Sequence, residues 1–433
     1  MSEGIIQAGF HILFSNDISA EVQETYVNRH SQLGFIQDYN THFHLGDIKE
    51  ITGDMIWSII DSLGCYSNCP DKKPSSIDVI FGGPPCQGFS RAGKRDSADP
   101  RNYLFQEYVR VINDVQPKYV VMENVEGFMD TKLSGFRSID GLIYHGLSTA
   151  PTILSLELNK IGYKVLQPRI LDASDYGVPQ KRNRVIFIAY RIDCVAPEYP
   201  VPQKSRKLTI SEAISDLIMD PSIRKEVFVN PSQYQLDSMN GRTRGVNKKT
   251  ISCYEVKNHH SSNHNLAIAE RFSLFKEGEK ATVLRKRLQV EGIDLNKYPG
   301  LLAECSKKIE SNHETILKMY NAPPLSDELI DILLTKKNMR IRLDRNQPSL
   351  TLMTIQDDYI SPFENRSFTV REHARLQSFD DSFVFLGKRT TGGSRRKVEV
   401  PQYTQVGNAV PPLLAKAIAN EIKYALKKNE TKI

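Results

Sequence analysis

At 433 residues, with 40% hydrophobic and 25% charged side chains, the chain is too long for one small domain and too apolar for wholesale disorder. Lysine and arginine number 57 against 51 acidic residues, an excess that permits a polyanionic partner without demanding one. Six scattered cysteines are too few for a disulfide framework and suit a reducing cytoplasm, and neither a long apolar run nor a basic-then-apolar start points to a membrane or to secretion.

From the start to about Tyr190, short β-branched runs alternate with helical stretches, the pattern of an α/β protein with a doubly wound, Rossmann-like parallel sheet and crossover helices. The Cys65/Cys69 pair has loose metal-like spacing but lacks a second pair, so two unrelated thiols and no metal are expected. The first clear strand, Ile77 to Phe81, runs into Gly82-Gly83-Pro84-Pro85-Cys86-Gln87-Gly88-Phe89-Ser90. Two glycines and two prolines force a sharp, rigid turn at the carboxyl end of a buried strand, where open α/β sheets bind ligands, and they hold the next cysteine in place.

A second strand, Tyr119 to Met122, ends in Glu123-Asn124-Val125. An acid there is either functional or a helix cap or ion pair. The third strand, Arg184 to Ala189, is apolar on both faces, and the preceding Gln180-Lys181-Arg182-Asn183-Arg184 puts Arg182 and Arg184 on one face at strand period two. Three prolines between Cys194 and Pro202 mark a linker. From Phe228 to Arg345 the chain is polar, with basic clusters at Arg242, Arg244, Lys248 and Lys249, at Arg285 to Arg287, and at Lys336, Lys337, Arg340 and Arg342. Such clusters are solvated faces or nucleic-acid contacts. Thr369 to Leu376 and Leu413 to Leu426 carry helical spacing.

Taken in order, the strings around Cys86, Glu123 and Arg184, then Phe368-Thr369-Val370-Arg371-Glu372-His373-Ala374-Arg375-Leu376-Gln377 and Gln405-Val406-Gly407-Asn408-Ala409-Val410-Pro411-Pro412, resemble the C5-cytosine DNA methyltransferases of bacterial restriction-modification systems. The resemblance spans the whole chain except its middle. It implies S-adenosyl-L-methionine as methyl donor and a cytosine rotated out of double-stranded DNA as acceptor. Cys86 would be the nucleophile that adds to carbon 6, Glu123 the acid that engages ring N3 and the exocyclic amine, and Arg184, with Arg182, the groups that contact O2 and the nucleophile turn. Residues Gly88 to Asp99 would form the loop that closes over the DNA.

For the cofactor, the resemblance assigns Asp17 to the ribose hydroxyls and Ile18 to the adenine face. It assigns Asp47 and Ile48 to the adenine edge, and Pro84, Leu104, Asn408 and Val410 to the methionine part. The absence of any Gly-x-Gly-x-x-Gly string counts against a nicotinamide or flavin enzyme. The expected division is a catalytic domain over 1–198, a target-recognition domain over 199–345, and a return to the catalytic domain over 346–433.

The family opens with a strand and an acidic-aromatic-x-Gly-x-Gly-Gly string absent here, and Met1 to Phe10 resembles the helix that follows it. A strand and glycine turn are therefore expected upstream of Met1, and the cofactor pocket is expected to be incomplete without them. The alternatives are a DNA-binding remnant without turnover and a tRNA methylase. A cytoplasmic monomer with a companion restriction endonuclease completes the expectation.

Overall fold

The computed structural model describes residues 1–431 apart from 68, 86–103, 134, 145, 147, 204–205, 355–357, 394 and 396–397. Cys86 and the loop from Gly88 to Asp99 thus lie outside the described residues. The chain opens with α1 (Ser2–Gln7), β1 (Phe14–Asp17), α2 (Ala20–Gln32), β2 (His42–Leu45) and α3 (Gly53–Asp61). It continues through β3 (Val79–Gly82), α4 (Leu104–Val115), β4 (Tyr119–Asn124), α5 (Ala150–Lys160), β5 (Tyr163–Val165), β6 (Arg169–Asp172) and β7 (Asn183–Arg191).

β4 shows why these residues make a central strand. Tyr119, Val120, Val121 and Met122 are all essentially fully buried, and alternation sends them to opposite faces. Val120 and Met122 pack on Phe105, Val109 and Ile112 of α4 and on Ile153, Leu154 and Leu158 of α5. Tyr119 and Val121 pack on Leu414, Ile418 and Ile422 of the closing helix, Pro412–Glu430. Helices on both faces make the three-layer α/β arrangement expected from the alternating pattern.

The sheet is mixed where a parallel one was expected. β3 and β4 are parallel, but β7 runs antiparallel to β4, with Glu123 opposite Ile186, and β5 and β6 run antiparallel to β7. Only residues 173–182 join β6 to β7, fewer than the dozen or so that a parallel crossover requires. The parallel β1–β2 pair stands as a separate two-stranded sheet.

Beyond residue 265, the helices α6 (Leu266–Ser273), α7 (Ala281–Glu291), α8 (Pro299–Ile309), α9 (His313–Tyr320) and α10 (Asp327–Leu334) enclose a core of their own. Leu343 and Leu352 share a different core with Ile210, Tyr234 and Leu376. Several members of the basic clusters serve this architecture. Arg285 pairs with Asp331 at 2.5 Å and Arg287 with Glu279 at 2.9 Å, while buried Arg342 donates to the carbonyls of Ser361 and Phe272. Arg244, Lys248, Lys249, Lys286, Lys336 and Lys337 remain exposed.

The short helix α11 (Val370–Leu376) begins with a capping box between Thr369 and Glu372, and all seven of its residues are buried. Its Arg375 is held at 2.9 Å by Asp216 and at 2.6 Å by Asp381, each about fully buried. Arg375→Met is expected to leave Asp216 enclosed without its cation and Asp381 with only Arg371 at 3.8 Å, and to cost roughly 3–5 kcal/mol. Urea unfolding measures this; a loss below about 1 kcal/mol would show that the acids find water instead.

Candidate active site

β3 ends in a glycine because nothing else fits. A Cβ on Gly82 would stand 2.3 Å from the ring of Tyr108, whose hydroxyl donates to the carbonyls of Ile80 and Val121 and so staples β3 to β4. The turn that follows is tied to β4, since the side-chain amide of Asn124 donates to the carbonyl of Pro84 at 3.2 Å. Cys86 follows Pro85 directly in sequence, and Glu123 lines the same cavity as Gly83, Pro84 and Pro85. A Cβ on Gly83 would lie 3.4 Å from Glu123 Oε2.

The β4–β7 register brings Glu123 and Arg184 together. Arg184 Nε lies 2.7 Å from Glu123 Oε1, and each side chain is 13% exposed. Arg184 also donates through Nη1 to the carbonyl of Asn183. Arg182 does not join them. It is buried, and donates to the carbonyls of Gly407 at 2.7 Å and Leu352 at 3.4 Å. The expected common face fails because β7 begins only at Asn183, so strand period does not reach residue 182.

One cavity of about 1490 Å³ collects the remaining candidates. Asp17, Ile18, Asp47, Ile48, Pro84, Leu104, Asn408 and Val410 all line it, as does Glu123. Asp17 ends β1, accepts from the amide of Ser19 at 2.9 Å, and is held above the ordinary carboxylate range by burial. Asp47 caps the turn Ile48–Glu50 and accepts from Lys49 N at 3.1 Å. Ile18, 72% exposed, and Ile48 offer apolar surface beside the two carboxylates. Acceptors for hydroxyl and amino groups next to apolar walls suit an adenosine moiety, and Leu104 and Val410 extend the apolar lining toward Glu123.

The cavity is larger than one cofactor needs, since small-molecule sites span roughly 300–1,000 Å³. Its shape has a cause in the sheet. Among the described residues β1 pairs only with β2 and β3 only with β4, and residues of both β1 and β3 line the cavity. Their side chains are half-buried, unlike those of β4. His30, packed on Tyr26 in the same cavity, has both ring nitrogens buried without a hydrogen-bond partner, and burial pushes its pKa down to about 3. Sequence reasoning missed His30, because an amphipathic helix offers no sign of what faces its buried side.

The sequence pattern described as C-5 cytosine-specific DNA methylase matches residues 1–424. The Type II methyltransferase M.DdeI of Desulfomicrobium norvegicum is 31% identical over 428 residues, covering 98% of this chain and 86% of the relative. The Type II methyltransferase M1.HphI of Haemophilus parahaemolyticus is 30% identical over 97% of this chain and 83% of its own length. Among solved structures, one assigned as a DNA modification methyltransferase encoded within a prophage (E. coli) superposes with a TM-score of 0.60 at 20% identity, covering 98% of this chain and 96% of the other. That likeness supports the α/β methyltransferase fold.

Proposed function

Because the chain belongs to the C-5 cytosine-specific DNA methylase family, we propose that it methylates carbon 5 of a cytosine flipped out of one specific double-stranded DNA sequence. Family membership makes the chain a DNA (cytosine-5) methyltransferase of the type II restriction-modification kind, with S-adenosyl-L-methionine as donor. The observation that carries the finer reading is the Glu123–Arg184 pair at the lip of a cavity that also holds the turn leading to Cys86.

Each of the chain's groups has one task. Cytosine carbon 5 is a weak nucleophile, so the Cys86 thiolate adds to carbon 6 and pushes electron density toward carbon 5. Glu123 holds N3 and the exocyclic amine, and Arg184 holds Glu123 in register and faces the charge that develops on the ring. Asp17, Asp47 and the apolar lining would hold the donor, which when bound would supply an electrophilic methyl group to carbon 5, the sulfonium sulfur keeping the electron pair of the broken bond as a neutral thioether. Loss of the carbon 5 proton then expels Cys86 and restores the aromatic ring. The target base reaches this site only outside the stack, which is why duplex DNA must release it.

The lobe over 199–345 would read the DNA word, with the exposed lysines and Arg244 meeting phosphates. A cytoplasmic monomer acting beside an endonuclease of the same specificity suits this reading; no described helix is long and apolar enough to cross a membrane. DNA binding without turnover draws no support from the relatives, which are methyltransferases. Transfer of a radiolabelled methyl group to mixed duplex DNA, with tRNA as the competing acceptor, tests the proposal. Label in tRNA alone, or in neither, would end it.

Replacing residues 228–336 with the corresponding lobe of a relative is expected to redirect the methylated sequence with the chemistry unchanged, because this segment holds the basic clusters up to Lys336 and none of the catalytic strings. Bisulfite sequencing of modified DNA reports the outcome. A folded, active chimera that still marks the parent's sequence places specificity elsewhere.

A further inference from the structure

We propose that Gln377 and Arg182 are positioning residues that fix the backbone carrying Asn408 and Val410, and thereby set the affinity for the methyl donor. The inference rests on the reading of the cavity as the cofactor site.

Three segments distant in sequence meet beneath one wall of that cavity. Residues 179–182 bond to the 349–352 strip, through Ser349 N to the carbonyl of Pro179 at 2.9 Å and Lys181 N to the carbonyl of Ser349 at 2.8 Å. The third segment is the end of helix α12 (Gln402–Asn408), which carries Asn408 and leaves its last carbonyls without partners of the ordinary helical kind, since the chain turns extended at Ala409. Ala409 N closes one tightened turn onto Val406 O at 3.2 Å, and buried side chains bind the end of the helix further. Gln377 Nε2 donates to Val406 O at 3.0 Å and to Ala409 O at 2.8 Å, and Arg182 Nη2 donates to Gly407 O at 2.7 Å.

The two clamps are themselves joined. Gln180 donates to Gln377 Oε1 and accepts from Leu352 N at 3.0 Å, and Arg182 reaches the carbonyl of Leu352. Gln180, Gln377 and Arg182 are at most 1% exposed. Gly407 seals the arrangement, since a Cβ there would lie 3.0 Å from Met353 O and 3.1 Å from Thr354 N. Neither Gln377 nor Arg182 lines the cavity, whereas Asn408 and Val410 do. Truncating either clamp therefore removes no contact with the cofactor; it frees the turn that makes those contacts.

Gln377→Met keeps the side chain's shape and removes both donors, and Arg182→Lys keeps one donor where Arg182→Met keeps none. Gln377→Met and Arg182→Met are expected to weaken S-adenosyl-L-methionine binding about tenfold or more by calorimetry, with Arg182→Lys falling between parent and Arg182→Met. DNA binding without cofactor should stay within about twofold of the parent. Amide hydrogen exchange at residues 406–410 of the free protein should quicken in the same order. Unchanged exchange at these amides overturns the proposal, as does quickened exchange with unchanged donor affinity. Equal losses in donor and DNA binding with a matching fall in Tm would reduce the clamps to general stability. Should the parent bind the donor too weakly to measure, the affinities are read in the chain extended ahead of Met1, where an absence of binding would count against the cavity as cofactor site, and the exchange ranking, which needs no cofactor, would still decide whether the clamps hold the turn.

Discussion

Replacing Cys86 with alanine is expected to abolish methyl transfer while leaving specific DNA binding within a few fold of the parent. The described residues just before it in sequence are tied to the site: the Pro84 carbonyl is held by Asn124, Gly82 is wedged on Tyr108, and a Cβ on Gly83 would lie 3.4 Å from Glu123 Oε2. Without a thiolate, carbon 5 must attack the methyl group unassisted, and each 1.4 kcal/mol added to the barrier is about tenfold in rate. Affinity for DNA comes mostly from phosphate contacts, which the substitution leaves alone. Single-turnover transfer of labelled methyl groups, alongside gel-shift titration, separates the two. Methylation persisting within about tenfold of the parent would remove Cys86 from the nucleophile's role.

Adding an extended apolar strand and a glycine-rich turn ahead of Met1 is expected to raise Tm by several degrees and to tighten donor binding at least tenfold. The grounds are the two strand edges that border the cavity, β1 and β3, each paired on one side only among the described residues. Phe14, Ile80 and Phe81 stand half-buried there. Backbone groups enclosed without partners cost roughly 1–3 kcal/mol each, and a strand laid between the edges would satisfy several at once. It would also narrow the space beside Asp17 and Pro84, bringing backbone amides to the methionine end of the donor.

Melting curves and calorimetry with the donor read the result. Equal Tm and equal affinity in the two proteins would show that the cleft takes no strand.

What the sequence by itself determined is local and periodic. The alternation of Tyr119 to Met122 announces a strand buried on both faces, the spacing of Leu414, Ile418 and Ile422 a helix with one apolar side, and Thr369 with Glu372 the start of α11. The glycine and proline run before Cys86 encodes a turn. Each of these depends on neighbours within a few residues, so the residues' order suffices to reveal them. Tertiary structure decided everything that depends on pairing at a distance: that β7 runs against β4, that Arg184 meets Glu123 while Arg182 turns away to Gly407, and that Arg285 and Arg287 are spent on Asp331 and Glu279. It also decided that β1 and β3 border one cavity. A charge in sequence carries no mark of its partner, and a strand edge no mark of what lies across from it. Both are settled only when hydrophobic burial brings distant segments into contact and each buried polar group takes the nearest partner that geometry offers.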